Sequence, residues 1–228
     1  MQTIQLIIST RRMLLSNILI SGCGITFQGK DPTWAKVFRL AGAQMKDVSG
    51  PAISNDLIVN TLLEELYQND YTHVICQLTN WKKLDVEVNE YNIDVMKTDS
   101  SRNFSHKGYW PSSTSDEHES KQMYYKYLYS PLMEEQNTIF KLLLLQKLCQ
   151  EKDTELMIIQ GYELNWTNEL HKQIKLFEDF VIYDDYVSSE FYDGHKYGLV
   201  PHKGYMIYLA KKINTHLKLN LPLEKFDA

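Results

Sequence analysis

A chain of 228 residues with 43% hydrophobic and 12% aromatic residues can bury a substantial core, and we expect a single domain over residues 1–228. The net charge of −5, with 24 Lys and Arg residues scattered along the chain, argues against a nucleic-acid partner. An apolar run of about 18 residues, the length that a membrane helix needs, does not occur, and a secretory signal is not recognisable either.

The first predicted element is a strand at residues 17–21, which stops at Gly22, Cys23 and Gly24. A short apolar run rich in β-branched residues suits a strand that is covered on both faces of a parallel sheet. Two glycines allow backbone dihedrals that other residues resist, so the amides of Cys23, Gly24 and Ile25 are predicted to point into one pocket. In open α/β sheets ligands bind at this carboxyl end of the strands.

Helices and strands alternate through the rest of the chain. Helices are predicted at 34–42, 56–69, 123–150 with a break at Pro131, 168–177 and 203–217, and further strands at 45–48, 72–78, 156–160 and 180–183. Ser54 or Asn55 is predicted to cap the second helix. Its buried stripe is predicted to contain Leu57, Val59, Leu62, Leu63 and Leu66. This alternation is typical of a three-layer α/β/α sandwich around a parallel sheet of about five strands.

Two segments do not fit the alternation. Residues 97–122 form a polar, Ser-rich insertion, and loops of this length are usually functional lids or flexible. Residues 1–12 precede the first strand and are predicted to be either an added edge strand or a dispensable extension.

The three cysteines, Cys23, Cys76 and Cys149, are far apart and include no CxxC pair. This pattern predicts neither a disulfide framework nor a zinc site, and it favours a reducing, cytoplasmic location. We therefore expect no metal and no cofactor. The oligomeric state stays open.

Four blocks, taken in chain order, resemble those of the SGNH or GDSL hydrolase superfamily, in the variant whose first block reads Gly-Cys-Ser, a hydrophobic residue and Thr. They are GCGIT at 22–26, VSGPAISN at 48–55, VICQLTNW at 74–81, and DGH at 193–195 with PHKGY at 201–205. Each block alone is a weak signal, and their order relative to the strands carries the resemblance. It implies a flavodoxin-like parallel sheet.

The resemblance also implies hydrolysis of an ester, often an O-acetyl group on a sugar or an acyl chain on a lipid. In the family a Ser of the first block attacks the carbonyl, a His takes its proton and an Asp orients that His. Carried onto this chain, His195 is the base and Asp193 its orienting partner. The oxyanion donors are Asn80 and the amides of Gly24 and of Gly50 or Ala52.

The chain departs from the family pattern at the nucleophile, because Gly24 occupies that position and has no side chain to attack with. Cys23 is a reactive residue type but lies one position away, and a buried, inert cysteine is the favoured interpretation. Extra residues before Gly204 make His202 a rival base, although Asp193 favours His195.

We therefore expect an SGNH-like ester hydrolase for an acylated, for example O-acetylated carbohydrate, substrate, impaired or altered at Gly24. Whether Gly24 is native or an introduced substitution stays open. The alternatives are a non-catalytic protein of the same fold that binds a glycan or small acylated ligand, and a structural or assembly protein. The expected partner is a small-molecule or carbohydrate ester ligand rather than nucleic acid or membrane.

Overall fold

The structure is a computed structural model that describes residues 17–22, 33–50, 53–79, 84–87, 106–109, 127, 130–162, 164, 166–183 and 203–226. In chain order the strands are β1 (Asn17–Ser21), β2 (Gln44–Asp47), β3 (His73–Leu78), β4 (Leu84–Glu87), β5 (His106–Tyr109), β6 (Glu155–Tyr162) and β7 (Leu176–Tyr183). The helices are α1 (Trp34–Leu40), α2 (Asn55–Gln68), α3 (Pro131–Glu151) and α4 (Lys203–His216), with short 3-10 helices at Glu169–Gln173 and Glu224–Phe226. Within these ranges, none of the helices combines the length and apolarity needed to cross a bilayer.

Five of the strands form one parallel sheet with the order β2-β1-β3-β6-β7. Numbered by their sequence within this sheet, the strands run 2-1-3-4-5, which is the flavodoxin-like doubly wound order. The prediction of an α/β fold with a parallel sheet of about five strands is confirmed.

Helices cover both faces of the sheet, which gives the three predicted layers. Successive side chains of a strand point to opposite faces, so β1 contributes Ile18 and Ile20 to one core and Leu19 to the other. The first core packs against α1 and α4, with Trp34, Phe38, Leu209 and Ile213 among its members. The second packs against α2 and α3, with Ile58, Leu62, Ile139 and Leu142. Each such fully buried side chain stabilises the fold by about 1.5–3 kcal/mol.

The helix α1 ends at Leu40, two residues before the predicted end, because Gly42 adopts a left-handed conformation with φ of +90°. The Gly42 N–H donates to Arg39 O at 3.0 Å, and the Ala43 N–H donates to Phe38 O at 3.0 Å. This pair of bonds is a Schellman motif, in which glycine terminates a helix without a Cβ penalty.

Serine side chains begin α2 and α3. Ser54 caps α2, as one of the two predicted alternatives, by accepting the Leu57 N–H at 3.2 Å. Ser130 caps α3 by accepting the Met133 N–H, and Pro131 takes the first helical position. A proline is tolerated there because its missing N–H has no intrahelical partner. Pro131 therefore begins α3, at the residue where the sequence predicts a break.

The buried stripe of α2 differs in part from the prediction. The buried residues are Asn55, Ile58, Val59, Leu62 and Leu66, whereas Leu57 and Leu63 are only partly buried. The buried set recurs at spacings of three and four residues, which places it on one face of the helix. Positions 57 and 63 lie on the flanks of that face.

The predicted helix at 168–177 is wrong over its second half. The 3-10 helix ends at Gln173, and Leu176 already belongs to β7, where it pairs with Ile158 of β6. The Lys175 N–H donates to Gln146 Oε1 at 2.6 Å, so the chain is fixed to α3 where it enters the strand. Pairing with β6 therefore decides the structure of this segment.

The strands β4 and β5 form a separate antiparallel ribbon, in which Leu84 pairs with Tyr109 and Glu87 with His106. The ribbon places a regular strand inside the polar insertion at 97–122. The rest of that insertion, and residues 1–12, lie outside the described residues.

Candidate functional site

The carboxyl ends of β1, β2 and β3 lie side by side at one edge of the sheet. β1 is the middle strand, with Ser21 paired to Cys76 of β3 and Ile20 paired to Asp47 of β2. The chain passes from β1 to β2 on one side and then to β3 on the other. Ligands of doubly wound sheets bind at such a switch point. We therefore take this edge as the candidate functional site.

The turns that leave β1 and β2 are in direct contact. The Val48 N–H donates to Ile20 O at 2.9 Å. Two residues later the Gly50 N–H donates to Gly22 O at 3.1 Å, so the parallel pairing continues beyond both strands. Both glycines are buried. A Cβ at Gly50 would lie 2.9 Å from Ile53 Cγ2, which shows how closely the second turn packs.

The first residue of α2 holds the end of β3. The Asn55 Nδ2 donates to Thr79 O at 2.9 Å, and the Thr79 N–H donates to Asn55 Oδ1 at 2.6 Å. Both residues are buried. Hydrogen bonds are electrostatically stronger in such a low-dielectric environment than in water. The Asn55 amide is thus bound to the backbone of the residue that directly precedes Asn80.

A second buried hydrogen bond ties the start of α1 to β3. The Trp34 Nε1–H donates to Gln77 Oε1 at 3.0 Å, and both residues are fully buried. On β6, a Cβ at Gly161 would lie 2.9 Å from Gln77 Nε2 and 2.5 Å from Leu78 O, so only glycine fits beside this amide. Gly24 lies in the segment of the sequence that precedes Thr33 and α1. The bond therefore fixes the start of α1 against β3.

Two buried hydroxyls at this edge, Ser49 Oγ and Thr79 Oγ1, have no hydrogen-bond partner within the described ranges. Ser49 follows β2 and Thr79 follows β3, so the two residues flank the end of β1. The Ser49 backbone is itself held, since its N–H donates to Asp47 Oδ1 at 2.9 Å. A buried hydroxyl without a partner carries a desolvation cost, and such groups in a protein call for a specific reason.

The loop after β6 reaches the same edge and is fixed by Glu135 in the first turns of α3. The buried Glu135 carboxylate accepts the N–H groups of Thr167 and Asn168 at 2.6 and 2.7 Å, and it also accepts the Thr167 hydroxyl. These donors compensate for the burial of a charged group. Glu135 therefore anchors this loop to α3.

One of the site residues implied by the SGNH resemblance, Gly50, lies in the described part of the chain. Its amide is bonded to Gly22 O. The others lie outside the described residues, and their roles stay predictions: Gly24, Ala52, Asn80, Asp193, His195 and His202. The structure joins Gly22 to Gly50 and holds Thr79 at the end of the neighbouring strand β3. In the sequence these three residues precede Gly24, Ala52 and Asn80 by one or two positions.

Sequence reasoning does not identify three of the polar residues that organise this edge. Gln77 carries a signal, because it is an amide inside the otherwise apolar strand HVICQL. Glu135 carries none, since it resembles any other glutamate near the start of a helix. Asn55 is recognisable as a helix-start residue, but its sequence does not show that its amide binds β3.

The two described cysteines are free and buried. Burial, and to a lesser extent the nearby Cys149, raises the pKa of Cys76, and burial raises the pKa of Cys149 to about 12. Both thiols are therefore protonated near neutral pH and are poor nucleophiles. In the described ranges no three His, Cys, Asp or Glu residues cluster to hold a metal ion.

No protein-family model matches the sequence, and no curated protein matches it. Among solved structures, the chain is similar to an acetyl xylan esterase from the rumen bacterium Butyrivibrio proteoclasticus, with a TM-score of 0.42 and 11% sequence identity. The match covers 91% of this chain and 65% of the esterase, so the chain spans only part of that protein's length. A similarity of this size carries no argument about chemistry.

Proposed function

We propose that the chain is an SGNH-like ester hydrolase for an acylated substrate, such as an O-acetylated carbohydrate, with a site impaired or altered by Gly24. The observation that carries the proposal is the hydrogen bond from the Gly50 N–H to Gly22 O at 3.1 Å. The amides of the first two blocks can act on one oxyanion only if their turns lie side by side. The contact between the two turns supports the proposal in this respect.

Three groups are proposed to stabilise the oxyanion: the side chain of Asn80, the amide of Gly24 and the amide of Ala52. The sequence allows either Gly50 or Ala52 in the second block. Ala52 is favoured because the Gly50 N–H is already engaged by Gly22 O. A well-placed donor of this kind contributes roughly 3–4 kcal/mol to transition-state stabilisation.

His195 is proposed as the base, and Asp193 orients its imidazole, with His202 as the rival base. In the family reaction the base takes the proton of the attacking hydroxyl, and the negative charge moves to the carbonyl oxygen. Gly24 offers no hydroxyl. Oxyanion donors and substrate binding can still accelerate hydrolysis over the rate in water, so a low residual activity is expected.

A non-catalytic protein that binds a glycan or small acylated ligand is the second candidate. Gly24 favours it directly, since the position that must attack has no side chain. In this case the pocket binds its ligand without turning it over.

The substitution Gly24→Ser separates the two candidates. If the rest of the site is intact, Gly24→Ser should raise the rate of p-nitrophenyl acetate hydrolysis by about 100-fold or more over the unsubstituted chain. Gly24→Ala is the matched control, because it adds a side chain without a nucleophile, and it should gain nothing. Adding His195→Ala to Gly24→Ser should abolish the gain, whereas loss of the gain with His202→Ala would reassign the base.

If Gly24→Ser gains no activity, the hydrolase proposal fails and the binding protein is favoured. A thermal-shift series with acetylated xylo-oligosaccharides then tests the second candidate, because a ligand that binds only the folded chain raises the Tm. No shift with any acylated sugar would contradict that candidate as well.

A reducing, cytoplasmic location is also proposed. The free, buried thiols of Cys76 and Cys149 support it. Alkylation of the denatured chain, purified from its native source without reductant, should modify all three cysteines. A disulfide in that material would contradict the proposal.

A further inference from the structure

The residue Thr79 has left the sheet ladder, yet its backbone is held on both sides. The last paired residue of β3 is Leu78, opposite Gln160 of β6, and pairing with β1 already ends at Cys76. In place of a neighbouring strand, the Asn55 side chain binds both the N–H and the C=O of Thr79. The two hydrogen bonds fix the peptide groups before and after this residue.

Helix capping does not explain why an asparagine occupies position 55. The Ser54 hydroxyl already caps α2 by accepting the Leu57 N–H at 3.2 Å. Asn55 is also buried, and burying an amide costs free energy unless its polar atoms are paired. Both polar atoms of the Asn55 amide are committed to Thr79, which indicates that the residue serves the end of β3.

We propose that Asn55 is a positioning residue of the candidate site, and that it sets the conformation in which the chain passes from Thr79 to Asn80. This inference rests on the proposed function, in which Asn80 is an oxyanion donor. Such a donor must lie about 3 Å from the developing charge, and a misplacement of about 1 Å can cost 10²-fold in rate. An amide is suited to this role because it offers a donor and an acceptor at once.

The test uses Asn55→Asp, which keeps the size and the acceptor but loses the donor to Thr79 O. The matched control is Thr154→Val, which loses one buried hydrogen bond, from the Thr154 hydroxyl to Tyr71 O at 2.8 Å, where β6 begins at the opposite edge of the sheet. Two readouts are compared. One is the exchange rate of the amides at 79 and 80 in the otherwise native chain. The other is kcat and KM for p-nitrophenyl acetate in the Gly24→Ser background.

In Asn55→Asp the carboxylate can still accept the Thr79 N–H, but it faces Thr79 O without a donor and repels it, so the end of β3 should open more often. Exchange at 79 and 80 should therefore become at least about tenfold faster while the Ile75 amide in the middle of β3 keeps its rate. In the Gly24→Ser background, kcat should fall by at least about tenfold with KM changed less than about twofold. Thr154→Val should leave the exchange rates at 79 and 80, kcat and KM unchanged. If Asn55 had a purely structural role, Asn55→Asp would not lower kcat while leaving KM nearly unchanged.

The inference is overturned if exchange at 79 and 80 stays at its native rate in Asn55→Asp. It is also overturned if an active Gly24→Ser chain keeps its kcat when Asn55→Asp is added. A Gly24→Ser chain without any hydrolysis refutes the proposed function instead, and the exchange rates alone then decide whether Asn55 holds the end of β3. If Asn55→Asp does not fold, Asn55→Ser takes its place in both measurements.

Discussion

The buried hydrogen bond between Trp34 and Gln77 should contribute to stability as a coupled pair, and a double-mutant cycle can measure it. The variants are Trp34→Phe, which removes the indole N–H, and Gln77→Leu, which removes the amide at similar size. Both residues are fully buried, and the Nε1 to Oε1 distance is 3.0 Å. Water therefore does not replace a lost partner at either position.

The expected loss in the free energy of unfolding follows from the buried polar group that each single variant leaves without its partner. Trp34→Phe leaves the Gln77 Oε1 buried without the indole donor, at about 1–3 kcal/mol. It also removes a few apolar atoms from the core, at roughly 2 kcal/mol. Gln77→Leu leaves the indole N–H unpaired, at a similar 1–3 kcal/mol. In the double variant neither group is left unpaired, so its cost should be smaller than the sum of the single costs by about 1–3 kcal/mol.

Urea denaturation of the four chains measures the free energies of unfolding, and thermal melts give an independent check at about 2–4 °C per kcal/mol for a chain of this size. Single costs that add within about 0.5 kcal/mol would show that the two residues are not coupled. That result would contradict the claim that this bond anchors the start of α1 on β3.

Three further predictions concern single residues. Thr79→Val should leave the free energy of unfolding unchanged or raise it by up to about 1 kcal/mol, because the lost hydroxyl has no partner in the described ranges. A loss of stability in urea denaturation would contradict this prediction. Gly161→Ala should destabilise by about 2 kcal/mol or more, since its Cβ would lie 2.5 Å from Leu78 O, and a melting temperature equal to that of the native chain would contradict this packing. Burial lowers the pKa of His73 below its ordinary 6.5, against an opposing effect of Glu155, so the unfolded chain binds the proton more readily. The free energy of unfolding should therefore fall as the pH drops from about 7 through 6.5 towards the lower folded-state pKa. His73→Gln should remove this part of the pH dependence. Identical pH profiles for the native chain and the variant would refute the prediction.

The strands and their order follow from the sequence where apolar runs are short and bounded by turn residues. β1 is an example, with Ile18, Leu19 and Ile20 all fully buried. The segment at 168–177 is the counter-example, because its apolar residues fit either a helix or a strand. Pairing of Leu176 with Ile158 decides between them, and that contact joins segments far apart in the chain.

For the candidate site, the sequence predicts which loops meet, because the carboxyl ends of neighbouring parallel strands share one edge. The sequence does not predict what holds those loops in place. The hydrogen bonds between Asn55 and Thr79 connect residues 24 positions apart, and those of Glu135 reach 32 and 33 positions. Such pairings depend on the three-dimensional packing of α2 and α3 rather than on any local pattern.

Covalent labelling tests most directly whether position 24 faces a working hydrolase site. The Gly24→Ser chain is treated with a fluorophosphonate, and the modified peptide is identified by mass spectrometry. A single adduct on residue 24, absent when His195→Ala or Asp193→Ala is added, is the expected result. Labelling that persists after His195→Ala or Asp193→Ala is added, or a Gly24→Ser chain that never reacts, would contradict the proposal that these segments form one site.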